Sequence, residues 1–258
     1  MKLTMVLVAV VGFLFFRGPM LQILGISSGT STSQFSSSAT DDEMRAYLST
    51  MMADNETIWS AVLAEKGIRY RPASMTIYNQ RTQIPGGYAD ARMGPFYLSS
   101  NETIYIDPSF FNELKQKFNA TGDFAEAYVI AHEYGHHIQH ILGRLQELHS
   151  QQGRVSKKLY NQHSVRVELQ ADFLAGVFAH HAESSFKKFL DHGDIEEAMR
   201  CAEAIGDDRL QQQSQGRVVR DSFTHGTSKQ RAYWFKKGFT TGKISEGEKL
   251  YSLPYSQL

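Results

Sequence analysis

The chain has 258 residues, and its 27 lysines and arginines balance 27 aspartates and glutamates, so its formal net charge is zero. A chain of this length can form one domain with a sizeable core and short appendages. The balanced charge, with no basic cluster longer than a few residues, argues against a nucleic-acid partner.

The first 26 residues are dominated by apolar side chains. The run from Leu3 to Phe16 is fourteen residues long, which is short for a membrane span and typical of a signal-peptide core. After Arg17-Gly18-Pro19 the apolar pattern resumes and reaches Ile26, which gives spanning length if the arginine snorkels to the interface. We favour a retained transmembrane signal anchor over residues 1–26. A cleaved signal peptide is the first alternative, and a buried helix of the domain is the second.

A linker and a folded domain are predicted to follow. Residues 27–40 are rich in Ser, Thr and Gly and almost without charge, a composition typical of a flexible linker. It would hold a domain of residues 41–242 off the membrane. We expect a single-pass protein with this domain in the periplasm or outside the cell. Residues 243–258 lack periodicity and are predicted to form a loosely ordered tail.

The first half of the domain is predicted to contain a helix and then strands. Asp42 to Lys66 has a helical pattern that Gly67 ends. Tyr88–Ala91 and the segment after it indicate an edge strand with its turn, and Thr103–Ile106 alternates as an inner strand. An exposed strand edge would hydrogen-bond an extended peptide. The predicted substrate-binding edge consists of Gly94, Pro95, Phe96 and Tyr97.

The most informative motif is H-E-x-x-H at His132-Glu133-Tyr134-Gly135-His136, on a predicted helix from Asp123 to Gly143. Histidines four positions apart lie on one helix face, so His132 and His136 can bind one ion. Glu133 is rotated by about a quarter turn and can instead deprotonate a zinc-activated water. The other two histidines of this helix, His137 and His140, are expected to face solvent or to lie behind the ligands.

A second motif, E-x-x-A-D, begins at Glu168 in a helix predicted from about Ser156 to His181. Glu168 is predicted to be the third zinc ligand, which leaves a fourth position open for water or substrate. Asp172 lies one turn later on the same face and can accept the outward N–H of a ligating histidine. A lone H-E-x-x-H often occurs by chance on a helix surface, but the second motif argues against that interpretation.

These motifs and several longer blocks over residues 42 to 242 resemble the bacterial neutral zinc metallopeptidase family, a membrane-associated branch of the gluzincins. The other blocks that carry the resemblance are Gly94–Tyr97, Ile104–Asp107, Ala127–Glu133, Glu168–Gly176, Ala204–Gln211 and Asp221–Ser228. The resemblance implies Zn²⁺ as cofactor, a gluzincin-like catalytic fold and peptidase activity, and it implies no particular substrate.

The chain departs from the family in its cysteines. Family members often carry cysteines at the positions of Gly86, Leu98 and Phe173. Because Cys201 is the single cysteine of this chain, it has no intrachain disulfide partner. These departures leave the zinc-binding motifs unchanged, and Cys201 is expected to be a small core residue.

A later element, Thr224-His225 with Arg231 six residues on, resembles the T-H-P-x-x-x-x-R element of gluzincins related to the membrane CAAX-processing proteases, with Gly226 in place of the proline. The resemblance implies that His225 donates a hydrogen bond to the oxyanion formed during peptide hydrolysis. It also implies that Arg231 pairs with a carboxylate at the zinc site, for which Asp172 is the candidate. The alternative is a Thr-His-Gly turn that caps the next helix.

The sequence therefore predicts an α+β fold: a mostly helical zincin-type metallopeptidase domain with a small sheet, an active-site helix, a glutamate-bearing helix and an N-terminal hydrophobic anchor. The predicted function is that of a membrane-anchored zinc metallopeptidase, an endopeptidase, with protein or peptide substrates. The alternative is a non-proteolytic zinc-containing membrane protein that presents a peptide-binding groove.

Overall fold

A computed structural model describes residues 8–9, 39–118, 123–186 and 189–258. The predicted anchor and linker lie outside the described residues, apart from the strand Val8–Ala9 and the start of the helix at Ala39. Across the described ranges, every helix is too short or too polar to cross a membrane.

The described residues form a mostly helical α+β fold with little sheet, as the sequence predicts. The helices are α1 (Ala39–Ala64), α2 (Ser109–Phe118), α3 (Asp123–Ile141), α4 (Arg144–Gln151), α5 (Lys157–Ser185), α6 (Asp194–Ala204), α7 (Asp207–Gln215), α8 (Ser228–Thr241), α9 (Ile244–Gly247) and α10 (Lys249–Ser252). The strands are β1 (Val8–Ala9), β2 (Ser74–Ile77), β3 (Arg81–Ile84), β4 (Gly87–Asp90), β5 (Phe96–Leu98) and β6 (Thr103–Ile106).

The strand arrangement corrects the predicted substrate-binding edge. One sheet has the order β1-β5-β6-β2, with β2 and β6 parallel and the other pairs antiparallel, and β3 and β4 form a separate hairpin. Phe96 and Tyr97 pair with β6 on one side and with β1 on the other, so they do not lie on an open edge. Gly94 and Pro95 precede the strand. The local pattern could not reveal this, because the second partner of β5 lies far upstream in the chain.

Helices α3, α5 and α8 form the centre of the molecule, and small residues let them approach closely. A Cβ added at Gly135 of α3 would lie 3.0 Å from the carbonyl oxygen of Ala171 in α5. The contact between α5 and α8 is tighter still, since a Cβ at Gly176 would lie 2.0 Å from the carbonyl oxygen of Phe235. The buried α3 helix is therefore covered by α5 on its ligand-bearing face, so both of its faces are in the interior.

The C-terminal segment is folded, so the prediction of a loosely ordered tail for residues 243–258 is wrong. It contains α9, α10 and a 3-10 turn at Tyr255–Gln257, and Leu250 is completely buried. Arg166 of α5 donates to the carbonyl oxygens of Leu250 and Leu253. Helices of four residues are too short to show a 3.6-residue period, and distant contacts hold them in place.

Candidate metal centre

Helices α3 and α5 bring together His132, His136 and Glu168, whose possible ligand atoms all lie within 4.8 Å of one another. Glu168 Oε2 is 3.3 Å from His132 Nε2, and Glu168 Oε1 is 3.7 Å from His136 Nε2. Both histidines are fully buried and Glu168 is 4% exposed. Within the described ranges, no other group of three such side chains could hold a metal ion.

The lack of hydrogen bonds at the ligand atoms of these three side chains fits a metal ion. His132 Nε2, His136 Nε2 and Glu168 Oε2 are buried and make no hydrogen bond. Buried polar atoms are nearly always paired, so three unpaired atoms around one point require an explanation. Two imidazole nitrogens and one carboxylate oxygen form a donor set that suits zinc and leaves one coordination position open. The residues present therefore fit the ion.

Glu133 adds an unpaired carboxylate beside these atoms. It is fully buried, and neither of its oxygens makes a hydrogen bond. Burial and the nearby Glu168 raise the pKa of Glu133 to about 8, whereas His132 opposes this rise. Such a carboxylate can hold and deprotonate a water molecule at the open position.

An ionic network orients His132. Its Nδ1 lies 2.7 Å from Asp172 Oδ1, and Arg231 donates to both Asp172 oxygens at 2.8 and 2.9 Å. The Tyr128 hydroxyl also donates to Asp172. Burial opposes the charge on Asp172, but Arg231 and His132 hold the pKa of this carboxyl well below its usual range. An ionised Asp172 fixes the proton on Nδ1 of His132 and leaves Nε2 for a metal.

A network of neutral amides orients His136. Its Nδ1 lies 2.8 Å from Gln139 Oε1, and burial lowers the pKa of His136 to about 4. Gln139 Nε2 donates to the carbonyl oxygen of Val167 at 2.6 Å and to Gln170 Oε1 at 3.1 Å. Gln139 belongs to neither sequence motif, although its position three residues after His136, on the same helix face, is a signal for this contact.

His225 is held beside the same site by Asp207. Asp207 Oδ2 accepts the backbone N–H groups of Thr224, His225 and Gly226 at 2.7, 2.7 and 3.0 Å, and Oδ1 lies 3.3 Å from His225 Nδ1. Burial would lower the pKa of His225, but Glu168 and Asp207 raise it to about 9. Asp207 lies in a block that carries the family resemblance, but the sequence alone assigned it no role.

The turn that carries His225 is distinct from the cap of α8. Thr227 is the N-cap of α8, and Gln230 completes a capping box with it. Gly226 has a φ of 98°, which a proline with its φ near −65° could not adopt, so this turn requires the glycine that stands in place of the proline of the T-H-P-x-x-x-x-R element. Because Thr227 is the N-cap, the turn of Thr224, His225 and Gly226 does not itself cap α8, which argues against the alternative of a Thr-His-Gly cap.

The two other histidines of α3 lie outside the group of possible metal ligands. His137 is fully buried, so it does not face solvent. Its Nδ1 is 2.9 Å from the Tyr97 hydroxyl and its Nε2 is 2.7 Å from the Arg71 carbonyl oxygen, which ties α3 to β5. His140 is half-buried near Glu102, at 3.4 Å.

Comparisons with known proteins agree with this site. The family described as "Putative neutral zinc metallopeptidase" matches residues 1–250, so the chain belongs to that family, whose cofactor is zinc. "Uncharacterized protein YpfJ" of Escherichia coli (strain K12) is 44% identical over 226 residues, which cover 86% of this chain and 78% of that protein. "Uncharacterized protein Rv2575" of Mycobacterium tuberculosis (strain ATCC 25618 / H37Rv) is 39% identical over 72% of this chain and 64% of its own length. No solved structure shows significant similarity to the chain.

Proposed function

We propose that this member of the neutral zinc metallopeptidase family is an endopeptidase that hydrolyses internal peptide bonds of protein or peptide substrates. The observation that carries the proposal is the set of unpaired ligand atoms on His132, His136 and Glu168, with the unpaired carboxylate of Glu133 next to them. Three protein ligands and an open position are typical of a catalytic zinc site, whereas a structural site is closed by a fourth protein ligand.

The residues around the ion have separate tasks in this proposal. A zinc ion held by His132, His136 and Glu168 would supply Lewis-acid chemistry, which lowers the pKa of water toward neutrality. Glu133 takes the proton of the attacking water and passes it to the leaving amine. His225, oriented by Asp207 at its Nδ1 side, donates a hydrogen bond to the developing oxyanion. The buried surroundings strengthen these charge interactions because they exclude bulk water.

The decisive experiment is Glu133→Gln in the full chain, with Glu65→Gln, an exposed residue in the turn after α1, as the matched control. We expect Glu133→Gln to keep one zinc per chain and to lose cleavage of an unstructured protein such as casein, while the control keeps both. Mass spectrometry of the fragments should show internal cuts. Zinc binding without any cleavage by the unmodified chain would favour the alternative of a non-proteolytic zinc protein, and trimming from the ends alone would contradict an endopeptidase.

We also propose that the N-terminal segment anchors the protein in a membrane by a single pass, with the catalytic domain on the extracytoplasmic side. The apolar length up to Ile26 supports this. The competing arrangement is the one in the structure, where Val8 and Ala9 pair with β5. Residues in a sheet cannot at the same time lie in a membrane-spanning helix. Alkaline extraction of membranes from cells that express the full chain decides between the two arrangements. Retention in the pellet supports the anchor, and release contradicts it.

A further inference from the structure

We infer that the C-terminal segment sets the orientation of the metal ligand His136 through a chain of directional hydrogen bonds. Its positioning residues are Gln139, Gln170, Glu248 and Tyr251. The inference rests on the proposed zinc site and gives a role to a segment that lies far from the metal-binding motifs in the sequence.

The first link is between His136 and Gln139. A histidine that binds a metal through Nε2 carries its proton on Nδ1, so Nδ1–H must donate. Gln139 presents Oε1 to this N–H at 2.8 Å. If the amide of Gln139 were rotated by half a turn, its NH₂ group would face Nδ1–H, donor against donor. The orientation of this one amide therefore decides whether His136 is held in its ligating form.

The second link holds the amide of Gln139. Its Nε2 donates to the carbonyl oxygen of Val167 at 2.6 Å and to Gln170 Oε1 at 3.1 Å. A carbonyl oxygen can only accept, so the rotated amide would set oxygen against oxygen at Val167. Gln139 and Gln170 are both fully buried, where lost hydrogen bonds are costly. The second acceptor, however, belongs to another amide that can itself rotate.

The third link fixes that second amide from the C-terminal segment. Gln170 Nε2 donates to Glu248 Oε1 at 3.0 Å, and the Tyr251 hydroxyl donates to Gln170 Oε1 at 2.7 Å. Glu248 is paired with Arg144, which can only donate, and the Arg144 guanidinium lies 4.6 Å from the centre of the Tyr251 ring. The carboxylate acceptor thus imposes one direction on the amide of Gln170. Gln170 and the Val167 carbonyl together hold the amide of Gln139 and, through it, His136.

The segment that carries these groups is held independently of the metal centre. Arg166 of α5 donates to the carbonyl oxygens of Leu250 and Leu253, and the Leu250 side chain is completely buried. Glu248 and Tyr251 are thereby fixed relative to α5, the helix that also carries Gln170. The end of the relay is therefore a rigid support for the amides between it and the metal ligand.

The test measures zinc affinity of the full chain by competition with a chromophoric chelator, so it does not depend on peptidase activity. Gln139→Met keeps the side-chain volume but removes the acceptor, and we expect about 10–100-fold weaker zinc binding. Gln139→Glu keeps an acceptor for Nδ1–H and should bind zinc more tightly than Gln139→Met. Equal losses in both variants would overturn the inference, because the acceptor for Nδ1–H would then make no difference to zinc binding.

Tyr251→Phe tests the far end of the relay, with Tyr255→Phe of the same segment as the matched control. Removing the Tyr251 hydroxyl should weaken zinc binding about fivefold, the equivalent of one hydrogen bond, and the control should change nothing. In the Gln139→Met background the relay is already cut, so Tyr251→Phe should have no further effect. Losses that simply add in the double variant would overturn the relay and leave only a packing role for the segment.

The same measurements separate this inference from the proposed function. If the unmodified chain bound no zinc, the proposed function would fail. If it bound zinc and Gln139→Met bound zinc equally well, only the relay would fail. The visible spectrum of the Co²⁺-substituted protein provides a second readout, because a reoriented His136 ring changes the ligand geometry that this spectrum reports. An unchanged spectrum in Gln139→Met would also contradict the relay.

Discussion

The two histidines of the metal centre lie one turn apart on the same helix, but the molecule supports them in opposite ways. Behind His132 stands an ionic network of Asp172 and Arg231, both completely buried. Behind His136 stand the neutral amides of Gln139 and Gln170. An ion pair provides orientation and charge, but it is stable only while both partners are present. A chain of amides provides orientation without charge, but something outside it must fix its direction.

The position of the charges explains this difference. On the His132 side, Arg231 comes from α8 in the core, so the whole network is out of contact with solvent. On the His136 side, the charged groups are Arg144 and Glu248, whose side chains are 25% and 35% exposed. Their charges remain partly hydrated, and only neutral amides cross the buried distance, which avoids the desolvation of an ion. The contrast predicts that loss of a charged partner on the His132 side lowers the free energy of unfolding more than loss of an amide on the His136 side.

The largest effect should come from breaking the buried ion pair. Arg231→Met leaves the buried charge of Asp172 without its guanidinium partner, so we expect the free energy of unfolding to fall by about 3–5 kcal/mol. Denaturant unfolding of the chelator-treated protein measures it, with the exposed Arg209→Met as the control. The double variant Arg231→Met/Asp172→Leu should recover part of the loss because both charges are gone. A loss no larger than that of the control would contradict the ionic support.

The next largest effect concerns His225, which a second buried carboxylate, Asp207, holds on the ionic side. His225→Ala removes a donor that acts mainly in the transition state, so kcat should fall about 10²–10³-fold while KM and zinc content stay unchanged. Steady-state kinetics with a peptide substrate measure it, and the exposed His192→Ala is the control. A rise in KM alone would make His225 a residue for ground-state binding.

A smaller effect should follow from Asp172→Asn, which keeps the shape of the side chain and removes its charge. His132 then loses a charged acceptor, and zinc affinity should fall about 10–100-fold. Chelator competition measures it beside Gln139→Met, the corresponding change on the His136 side. Retention of full zinc affinity and activity by Asp172→Asn would show that the charge behind His132 has no influence on the metal.

The sequence predicts the metal ligands and the ionic network behind His132 far better than the amide relay behind His136. His132, His136 and Glu168 are at helical spacing in two recognisable motifs, so their assembly follows from helix geometry. Asp172 lies one turn after Glu168, and Arg231 belongs to a recognisable later element. The amide relay, in contrast, depends on which buried groups meet when α9 and α10 pack on α5. The sequences of α9 and α10 contain no pattern that predicts this contact with α5.

Dependence on contacts between distant parts of the chain also explains why the prediction of an open strand edge at β5 is wrong. Strand β5 has the apolar pattern of a strand, but whether it is an edge depends on the pairing of a two-residue strand far upstream. Asp207 was missed for a related reason. An aspartate at the start of α7 has the pattern of an ordinary helix N-terminus, and its contacts with the turn before α8 exist only in the folded chain.

The smallest predicted effect is a difference between the ionic and the neutral side of the metal centre in how the free energy of unfolding depends on pH. Burial would raise the pKa of Asp207, but His225 and the backbone N–H groups of its turn lower it. A carboxylate whose pKa is lower in the folded than in the unfolded chain stabilises the fold above its unfolded pKa, about 3.9. This stability is lost as the pH falls toward the folded pKa. Asp207→Asn should therefore reduce the free energy of unfolding by about 1 kcal/mol at pH 5.5, and the difference should shrink below about pH 4.

Urea unfolding of the metal-free protein between about pH 3 and 5.5 measures this difference, in a window where His225 is protonated in both the folded and the unfolded chain. Tyr251→Phe is the matched comparison because it removes a neutral hydroxyl from the other side of the metal centre and does not touch His136. Its destabilisation should be the same throughout the window, since no carboxylate is lost. If the loss in Asp207→Asn were equally constant, Asp207 would act through hydrogen-bond geometry alone, and the division into an ionic and a neutral side would not extend to His225.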